Sequence, residues 1–246
     1  MENKYLVVIP YCAREAQGLE LEFAVAGWRK HFKEKHTIVI VGDLHPIIYS
    51  GSDICYLAHA RVPEDKKNYR PHLDLVSKFR EVHKYFPDSK GFIFTCDDFY
   101  AINDFTFEDV NVLKFIPGGI DFDPLSPNPW RRDAMKTKRA LQREGLPDRN
   151  FTTHLPQWYD WDKFEALCKK YDMTHNSYVI EDLYFNTYFP VAGGVAIDGD
   201  DKYKCSVTST HPDIERLNRA LSDKIWINNN TVGYTKALED FLLRVL

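Results

Sequence analysis

Two adjacent carboxylates, Asp97 and Asp98, follow the mostly apolar run of residues 92–95. A buried carboxylate without a partner costs several kcal/mol, on the order of the known transfer penalties, so we expect positive charge to meet this pair. Mg²⁺ and Mn²⁺ take one or two carboxylates and complete their shells with water and phosphate oxygens. The pair therefore indicates a divalent-cation site holding a diphosphate. The alternative is a helix cap or turn after a strand.

Basic residues concentrate in one segment, residues 130–149, within a protein whose formal net charge is −4. This local excess is a candidate face for an anionic polymer, of which nucleic acid is the sharpest case. Aromatic rings can stack on bases, so the candidate binding residues are Trp130, Arg131, Arg132 and Trp158. The alternative is a solvated helix over a small aromatic core.

Composition narrows the class of protein. The chain has 246 residues, 44% of them hydrophobic, which is enough for one core, and no stretch approaches the ~20 apolar residues of a membrane span. The first residues lack the features of a secretory signal, and the five cysteines form no CxxC pair. We therefore expect a cytoplasmic protein without a disulfide framework or a zinc site. The sequence does not predict the oligomeric state.

Strands and helices alternate along the first hundred residues. Apolar, β-branched runs predict strands at residues 5–10 and 37–41, and shorter strands are predicted at 54–57 and 91–96. Helical spacing predicts helices over residues 19–32, 73–85, 133–143, 161–171, 178–188 and 235–246. This order predicts a single-domain α/β fold over residues 1–246, with a mainly parallel central sheet flanked by helices.

Polar clusters at residues 11–17, 42–46 and 97–103 follow three of these predicted strands. Ligands bind beyond the carboxyl ends of parallel strands, so we expect the three clusters to be neighbours in space. Residues 116–160 are rich in proline and basic residues and are predicted to form a surface insertion within the domain, on the acceptor side of the site. The phosphate-loop, GxGxxG, GxSxG and HExxH motifs are absent, which excludes the commonest rival α/β enzymes.

The combined motifs resemble the nucleotide-sugar glycosyltransferases of the Rossmann-like GT-A fold, and more closely the stealth-type sugar-phosphate transferases. The resemblance rests on VVIPYCARE, IVIVGDLHP, HLDLVSKFREVHKYFP and FIFTCDDF, and on the closing segment KIWINNNTVGYTKALEDFLLRVL. It covers most of the first 110 residues and the last 25, but not the middle. Cys96 stands where the family has asparagine.

The resemblance implies roles for residues at the strand ends. Asp98 is the expected ligand of Mn²⁺ or Mg²⁺, and Asp97 the expected contact to sugar or ribose hydroxyls. His211 and Asn229 are candidates for a further metal ligand. The expected donor is a UDP-sugar, and its candidate binding residues are Pro10, Tyr11, Ala13, Arg14, Asp43, Lys78, Arg80 and Asp97. For the charged helix residues among these, the alternative is a solvated helix face.

A second carboxylate pair, Glu181 and Asp182, follows the apolar residues 178–180. Glycosyl transfer needs a carboxylate that either takes the proton of the acceptor hydroxyl or stabilises an oxocarbenium-like centre. Glu181 and Asp182 are therefore candidate catalytic residues, and His154 is a third. The alternative for the acids is a favourable place in the first turn of a helix, and for the histidine a hydrogen-bonded structural role.

Three functions remain open at this point. The first is a metal-dependent glycosyltransferase whose acceptor hydroxyl belongs to a glycan, a lipid-linked sugar or a hydroxymethylated pyrimidine in phage-type DNA. The second is a sugar-1-phosphate transferase, as the stealth-type resemblance implies, which releases a nucleoside monophosphate instead of a diphosphate. The third is a non-catalytic module that binds nucleotides or nucleic acid.

Overall fold

The computed structural model describes residues 5–62, 70–123 and 125–246. Pro124, in the predicted insertion, lies outside the described residues. The strands are β1 (Tyr5–Tyr11), β2 (His36–Gly42), β3 (Ile54–Ala58), β4 (Gly91–Phe94), β5 (Phe99–Ala101), β6 (Lys114–Phe115), β7 (Gln157–Asp160), β8 (Val195–Ala196), β9 (Lys204–Val207) and β10 (Trp226–Asn229). The α-helices are α1 (Glu20–His31), α2 (Pro71–Tyr85), α3 (Phe107–Asn111), α4 (Pro129–Arg143), α5 (Trp161–Lys170), α6 (Ile180–Tyr188), α7 (Ile214–Asp223) and α8 (Lys236–Val245). A short 3₁₀-helix covers Pro46–Tyr49.

The main sheet has the strand order β3-β2-β1-β4-β7. Its first four strands are parallel, and β7 pairs with β4 in the antiparallel sense. Val7, Val8 and Ile9 in β1 have no exposed surface, as expected for a central strand covered on both faces. The carboxyl ends of β1, β2 and β4 therefore meet at one edge of the sheet.

Helices cover the main sheet on both sides. One core holds Trp28 of α1 together with apolar residues of α7 and α8, and the other holds Phe79 of α2 together with residues of α4, α5 and α6. Apolar residues that recur on one side of each helix produce this burial. The two cores fix the main sheet between two helical layers.

A second sheet has the order β5-β10-β9. Strand β10 pairs with β5 in the antiparallel sense and with β9 in the parallel sense, and Asn228 lies opposite Phe99. Because β5 begins only a few residues after β4, this pairing brings the end of β10 to the turn that carries Asp97 and Asp98. Strands β6 and β8 form a separate two-stranded ladder.

The structure confirms the predicted fold class, a mainly parallel sheet flanked by helices. Within the segment predicted as an insertion, residues 157–160 form β7 of the main sheet. Helix α4 begins four residues earlier than predicted, because the Asn128 side chain accepts a hydrogen bond from Trp130 N and so caps it. In the described part of the chain, no helix is long and apolar enough to cross a membrane.

Candidate functional site

Asp97 and Asp98 lie in the turn between β4 and β5, and both are half-buried. Burial raises the pKa of both carboxyls, and the negative charge of Glu20 raises both further. The charge of Asp97 also raises the pKa of Asp98. Three carboxylates therefore share one small region, and their mutual repulsion is an electrostatic cost that a bound cation would relieve.

Asn229 ties this region together. Its Nδ2 donates to Glu20 Oε1 at 2.8 Å, and its Oδ1 accepts from the Tyr100 hydroxyl at 2.5 Å. Its backbone N–H donates to the carbonyl oxygen of Asp98 at 3.4 Å. Asn229, predicted as a metal ligand, thus lies beside Asp98, but its side-chain oxygen already accepts a hydrogen bond. In this structure it holds the buried Glu20 carboxylate in place.

The loop after β1 packs against the end of β2. The N–H of Ala13 donates to Asp43 Oδ2 at 2.9 Å, and the N–H of Asp43 donates to the Tyr11 carbonyl at 3.3 Å. A Cβ on Gly42 would lie 2.0 Å from that carbonyl oxygen, so only glycine lets the strands end this close together. Burial raises the pKa of Tyr11, and the charge of Asp97 adds to the effect. The three polar clusters predicted to be neighbours therefore meet here.

The remaining candidates for donor binding divide into two groups, Pro10, Arg14 and Lys78 near the strand ends and Arg80 away from them. Pro10 lies one residue before the end of β1, opposite Val41, and the exposed Arg14 pairs with Glu15 at 3.3 Å. Lys78 is buried, pairs with Asp74 at 3.0 Å, and its charge lowers the pKa of Asp97. It is thus a buried cation that acts on Asp97.

Arg80 lies elsewhere. Its Nε is 3.4 Å from a carboxylate oxygen of Glu165 on α5. It follows Lys78 by two residues on α2, and side chains two positions apart point to different sides of a helix. The structure brings Lys78 to the strand ends and leaves Arg80 against α5.

A cavity of about 150 Å³ adjoins the carboxylate pair, and Glu181, His154, Trp130 and Cys96 are among the residues that line it. Burial raises the pKa of Glu181 to about 7. Burial also raises the pKa of the Cys96 thiol, and the charges of Asp98, Asp97 and Glu181 contribute. Cys96 and Phe99 line the cavity and flank Asp97 and Asp98 in the chain, so the cavity lies next to the carboxylate pair.

His154 stands at the rim of this cavity in an unusual backbone conformation. Its φ is 51°, which costs a residue with a Cβ about 1 kcal/mol or more. The ring lies against Phe99, with 5.9 Å between centroids, and burial together with the Lys204 ammonium lowers its pKa. His154 is therefore a neutral imidazole near pH 7.

Asp182 is fully buried, and its Oδ1 accepts a hydrogen bond from the N–H of Phe151 at 2.6 Å. Burial raises its pKa well above the ordinary value. The chain on either side of Phe151 forms part of the cavity wall. Asp182 thus braces that wall, whereas its neighbour Glu181 lines the cavity.

The acceptor candidates lie on different faces. Trp130 lines the cavity, and Arg131 and Arg132 are exposed beside it on the first turn of α4. Trp158 packs against Tyr5 and Phe107 in the other core. The structure therefore brings Trp130 and the two arginines together and leaves Trp158 on the opposite face of the sheet.

His211 is exposed in the loop after β9, and its Nδ1 is 2.9 Å from Thr210 Oγ1. Among residues 5–62, 70–123 and 125–246, no three His, Cys, Asp or Glu side chains are grouped to hold a metal ion. Mg²⁺ and Mn²⁺ sites on diphosphates need only one or two carboxylates. The half-buried, mutually repelling pair Asp97 and Asp98 fits that requirement.

Two residues of the site were not predicted from the sequence. Glu20 is buried against Asn229, and His72, in the first turn of α2, lines the cavity. Glu20 resembles any acid in the first turn of a helix, and Glu22 occupies the same turn without being buried. His72 follows a proline at a helix start, which is a cap signal only. Neither carries a sequence signal that separates it from a surface residue.

Comparison with known proteins bears on the fold. No family model and no curated protein sequence matches the chain. The apo structure of the bifunctional glycosyltransferase WbbM is similar over 96% of this chain and 47% of its own, with a TM-score of 0.53 and 12% identity. This chain thus spans about half the length of that protein. The two share a fold.

Two further structures are more distant. A glycosyltransferase involved in the glycosylation of the major capsid of PBCV-1 has a TM-score of 0.42 and 9% identity, covering 92% of this chain and 93% of its own. Mouse xyloside xylosyltransferase 1, in its apo form, has a TM-score of 0.43 and 10% identity, covering 94% and 99%. The stealth-type resemblance stays a prediction.

Proposed function

We propose that this protein is a metal-dependent glycosyltransferase that moves a sugar from a nucleoside diphosphate sugar to a hydroxyl acceptor. The observation that carries the proposal is the half-buried pair Asp97 and Asp98 at the carboxyl edge of the sheet, next to a cavity that is lined by a further carboxylate, Glu181. The fold shared with WbbM supports it.

Asp98 would be the direct ligand of the metal ion, Mn²⁺ or Mg²⁺, and Asp97, the expected contact to sugar or ribose hydroxyls, would add negative charge beside it. A bound divalent ion supplies positive charge that stabilises a diphosphate leaving group. Without it, burial and mutual repulsion favour the protonated carboxyls. The protein's own contribution is to keep the two acids in the short turn between β4 and β5, where the strands on both sides fix their position.

The donor is a UDP-sugar in this proposal, and the loop with Tyr11, Ala13 and Asp43 receives the nucleoside. Lys78 supplies a buried positive charge near Asp97. A buried ammonium interacts strongly with phosphate because little water screens it. The donor is therefore held between a metal-bound carboxylate pair and a fixed cation.

Glu181 is the candidate catalytic carboxylate. Its pKa of about 7 suits a group that takes a proton from an acceptor hydroxyl near neutral pH. In a retaining reaction the same carboxylate would face the oxocarbenium-like centre. Asp182 is a positioning residue, since its hydrogen bond to Phe151 fixes the cavity wall.

The acceptor approaches from the side of α4, where Arg131 and Arg132 are exposed beside Trp130. This basic surface suits a negatively charged acceptor. A phage-type DNA carrying hydroxymethylated pyrimidines is one such acceptor, and an anionic glycan is another. Both present a hydroxyl next to repeated negative charge.

The test is a thermal-shift panel of nucleotides and nucleotide sugars, each with Mn²⁺, with Mg²⁺ and with EDTA. We expect one nucleoside diphosphate and its sugars to raise the Tm of the wild type only when metal is present. Asp98→Ala should abolish that increase, and the matched variant Asp88→Ala, at an exposed turn, should keep it. No increase with any nucleotide would refute the proposal.

Product analysis separates the remaining alternatives. A glycosyltransferase releases a nucleoside diphosphate from its donor, whereas a sugar-1-phosphate transferase releases a nucleoside monophosphate. A protein that binds the donor in the presence of metal but releases neither product, with glycan and DNA acceptors present, is a binding module.

A further inference from the structure

The first turns of three helices build the cavity beside Asp97 and Asp98. Pro71 and His72 come from α2, Trp130 from α4, and Glu181 from α6. The side chains between them are mostly apolar and include Leu75, Phe94 and Phe99. The cavity thus has apolar walls and a small number of polar groups, which is the usual composition of a small-molecule site.

His72 is deeply buried, with 3% of its surface exposed, and among the polar residues of this lining only Thr153, at 1%, is buried more deeply. Neither of its ring nitrogens has a hydrogen-bond partner among the described residues. Oε2 of Glu181 lacks a partner too. Buried polar groups are nearly always paired in folded proteins, so two unpaired groups in one cavity indicate that a ligand completes them.

The position of the cavity identifies which part of the donor fits it. Cys96 lines the cavity, and the next two residues are Asp97 and Asp98. A sugar is bonded directly to the diphosphate of the donor. With the diphosphate at the carboxylate pair, that sugar lies in the adjoining space. At about 150 Å³ the cavity suits a single sugar ring, whose C–H face can pack against an aromatic ring such as Trp130.

We propose that His72 hydrogen-bonds a hydroxyl of the transferred sugar and thereby selects the donor. This inference rests on the proposed function. It assigns a specificity role to the first residue of the segment HLDLVSKFREVHKYFP, and it predicts that the donor is discriminated by one hydroxyl of the sugar rather than by its nucleotide alone.

The chemistry of His72 sets the kind of group it accepts. Burial lowers its pKa to about 3, so the imidazole is neutral at physiological pH. A neutral imidazole offers one hydrogen-bond donor and one acceptor, and a sugar hydroxyl can bond to either. The neutral ring carries no positive charge that would pair with a phosphate or a carboxylate. The occupant is therefore an uncharged, hydroxyl-bearing ring.

The test uses His72→Phe, which keeps a flat ring in the cavity wall and removes both nitrogens. The matched control is His83→Phe on the same helix, where His83 stacks on Trp161 at 4.5 Å, away from the cavity. Calorimetry with Mn²⁺ compares the nucleoside diphosphate found in the thermal-shift panel with its sugars. We expect His72→Phe to bind the diphosphate as the wild type does and to bind the preferred nucleotide sugar about tenfold more weakly, the order expected for one lost hydrogen bond.

A second measurement varies the sugar of the donor. Monodeoxy analogues of the preferred sugar, tested on the wild type, should show about a tenfold loss at one hydroxyl position, and His72→Phe should show no additional loss at that position. The ligand-free His72→Phe protein should also have a higher Tm than the wild type, because it no longer buries two unpaired nitrogens.

The outcomes separate this inference from the proposed function. If the wild type binds no nucleoside diphosphate, the proposed function fails and the inference fails with it. If the diphosphate binds but neither His72→Phe nor any deoxy analogue weakens the sugar contribution, the inference alone is overturned. A loss in His83→Phe equal to that in His72→Phe would also overturn it.

Discussion

Removing one charge from the carboxylate pair should stabilise the metal-free protein. The change is Asp97→Asn, which keeps the shape and hydrogen-bonding capacity of the side chain but cannot ionise. Burial, followed by the charge of Glu20, raises the pKa of Asp97 from 3.8 to about 7. The folded protein therefore resists ionisation of this group, and the unfolded chain does not.

The magnitude follows from the pKa difference. A group whose pKa is raised by folding contributes fully to stability below its pKa in the unfolded state, and this contribution is lost as the pH rises through its pKa in the folded state. At 1.36 kcal/mol per pKa unit, ionisation of Asp97 lowers the free energy of unfolding by about 1.5 kcal/mol at pH 5 and about 4 kcal/mol at pH 8. Asparagine cannot ionise and does not lose this stability. The advantage of Asp97→Asn over the wild type should therefore grow by about 2–3 kcal/mol from pH 5 to pH 8.

Urea unfolding in EDTA at both pH values measures this difference. Other titrating groups, including His72 and Glu181, are common to both proteins, so the difference reports the ionisation of Asp97 together with its effect on the pKa of Asp98. The control Asp88→Asn, at an exposed turn, should show no pH-dependent difference. Mn²⁺ should stabilise the wild type at pH 8 and have little effect on Asp97→Asn. A stability difference that is the same at pH 5 and pH 8 would show that folding does not raise the pKa of Asp97.

Three further variants test separate parts of the site. Glu181→Gln should lower kcat by a factor of about 10² to 10⁴ and change the Kd for the donor much less, because it removes a proton acceptor and keeps the size and hydrogen-bonding capacity of the side chain. An unchanged kcat would exclude Glu181 as the base. Asn229→Ala should lower the free energy of unfolding by about 2–3 kcal/mol, measured in urea, since it removes a buried hydrogen-bond donor from Glu20. Lys78→Met should weaken binding of the nucleoside diphosphate in Mn²⁺ about tenfold in calorimetry, on the order of one charged hydrogen bond. Arg80→Ala, whose partner is Glu165, should not, and equal effects of the two would contradict the distinction between them.

The parallel half of the fold could be predicted from local sequence. The β-branched runs of β1 and β2 allow a strand and little else, and the helical spacing before and after them fixes the order of elements. Once strands alternate with helices, the carboxyl ends must share an edge. Asp97 and Asp43 could be located for that reason, without knowledge of any distant contact.

The second sheet could not be predicted in this way. Strand β10 reads Trp-Ile-Asn-Asn, which is short and half polar, and it becomes a strand because β5 and β9 supply its partners. Strand β7 lies in a segment rich in proline and joins the main sheet in the antiparallel sense. Pairing between distant segments, rather than propensity, determines these elements.

The same reason explains the missed residues. Glu20 and Glu22 stand in one helical turn, and only Glu20 is buried, because Asn229 reaches it from 209 residues away. Arg80 and Lys78 both carry a positive charge, and only the direction in which each side chain leaves α2 gives them different surroundings. Residue type indicated the chemistry of the site, and the tertiary fold selected which residues take part.

The hydrogen bonds of Asn229 also have a consequence for the order in which contacts form while the chain is being synthesised. The ribosome completes α1, β4 and β5 long before it reaches β10, which supplies this asparagine. Until then, Glu20 lacks the hydrogen bond from Asn229 Nδ2, and the carbonyl oxygen of Asp98 lacks the N–H of Asn229. A nascent chain therefore completes the contacts around its carboxylate pair only when its last strand pairs with β5.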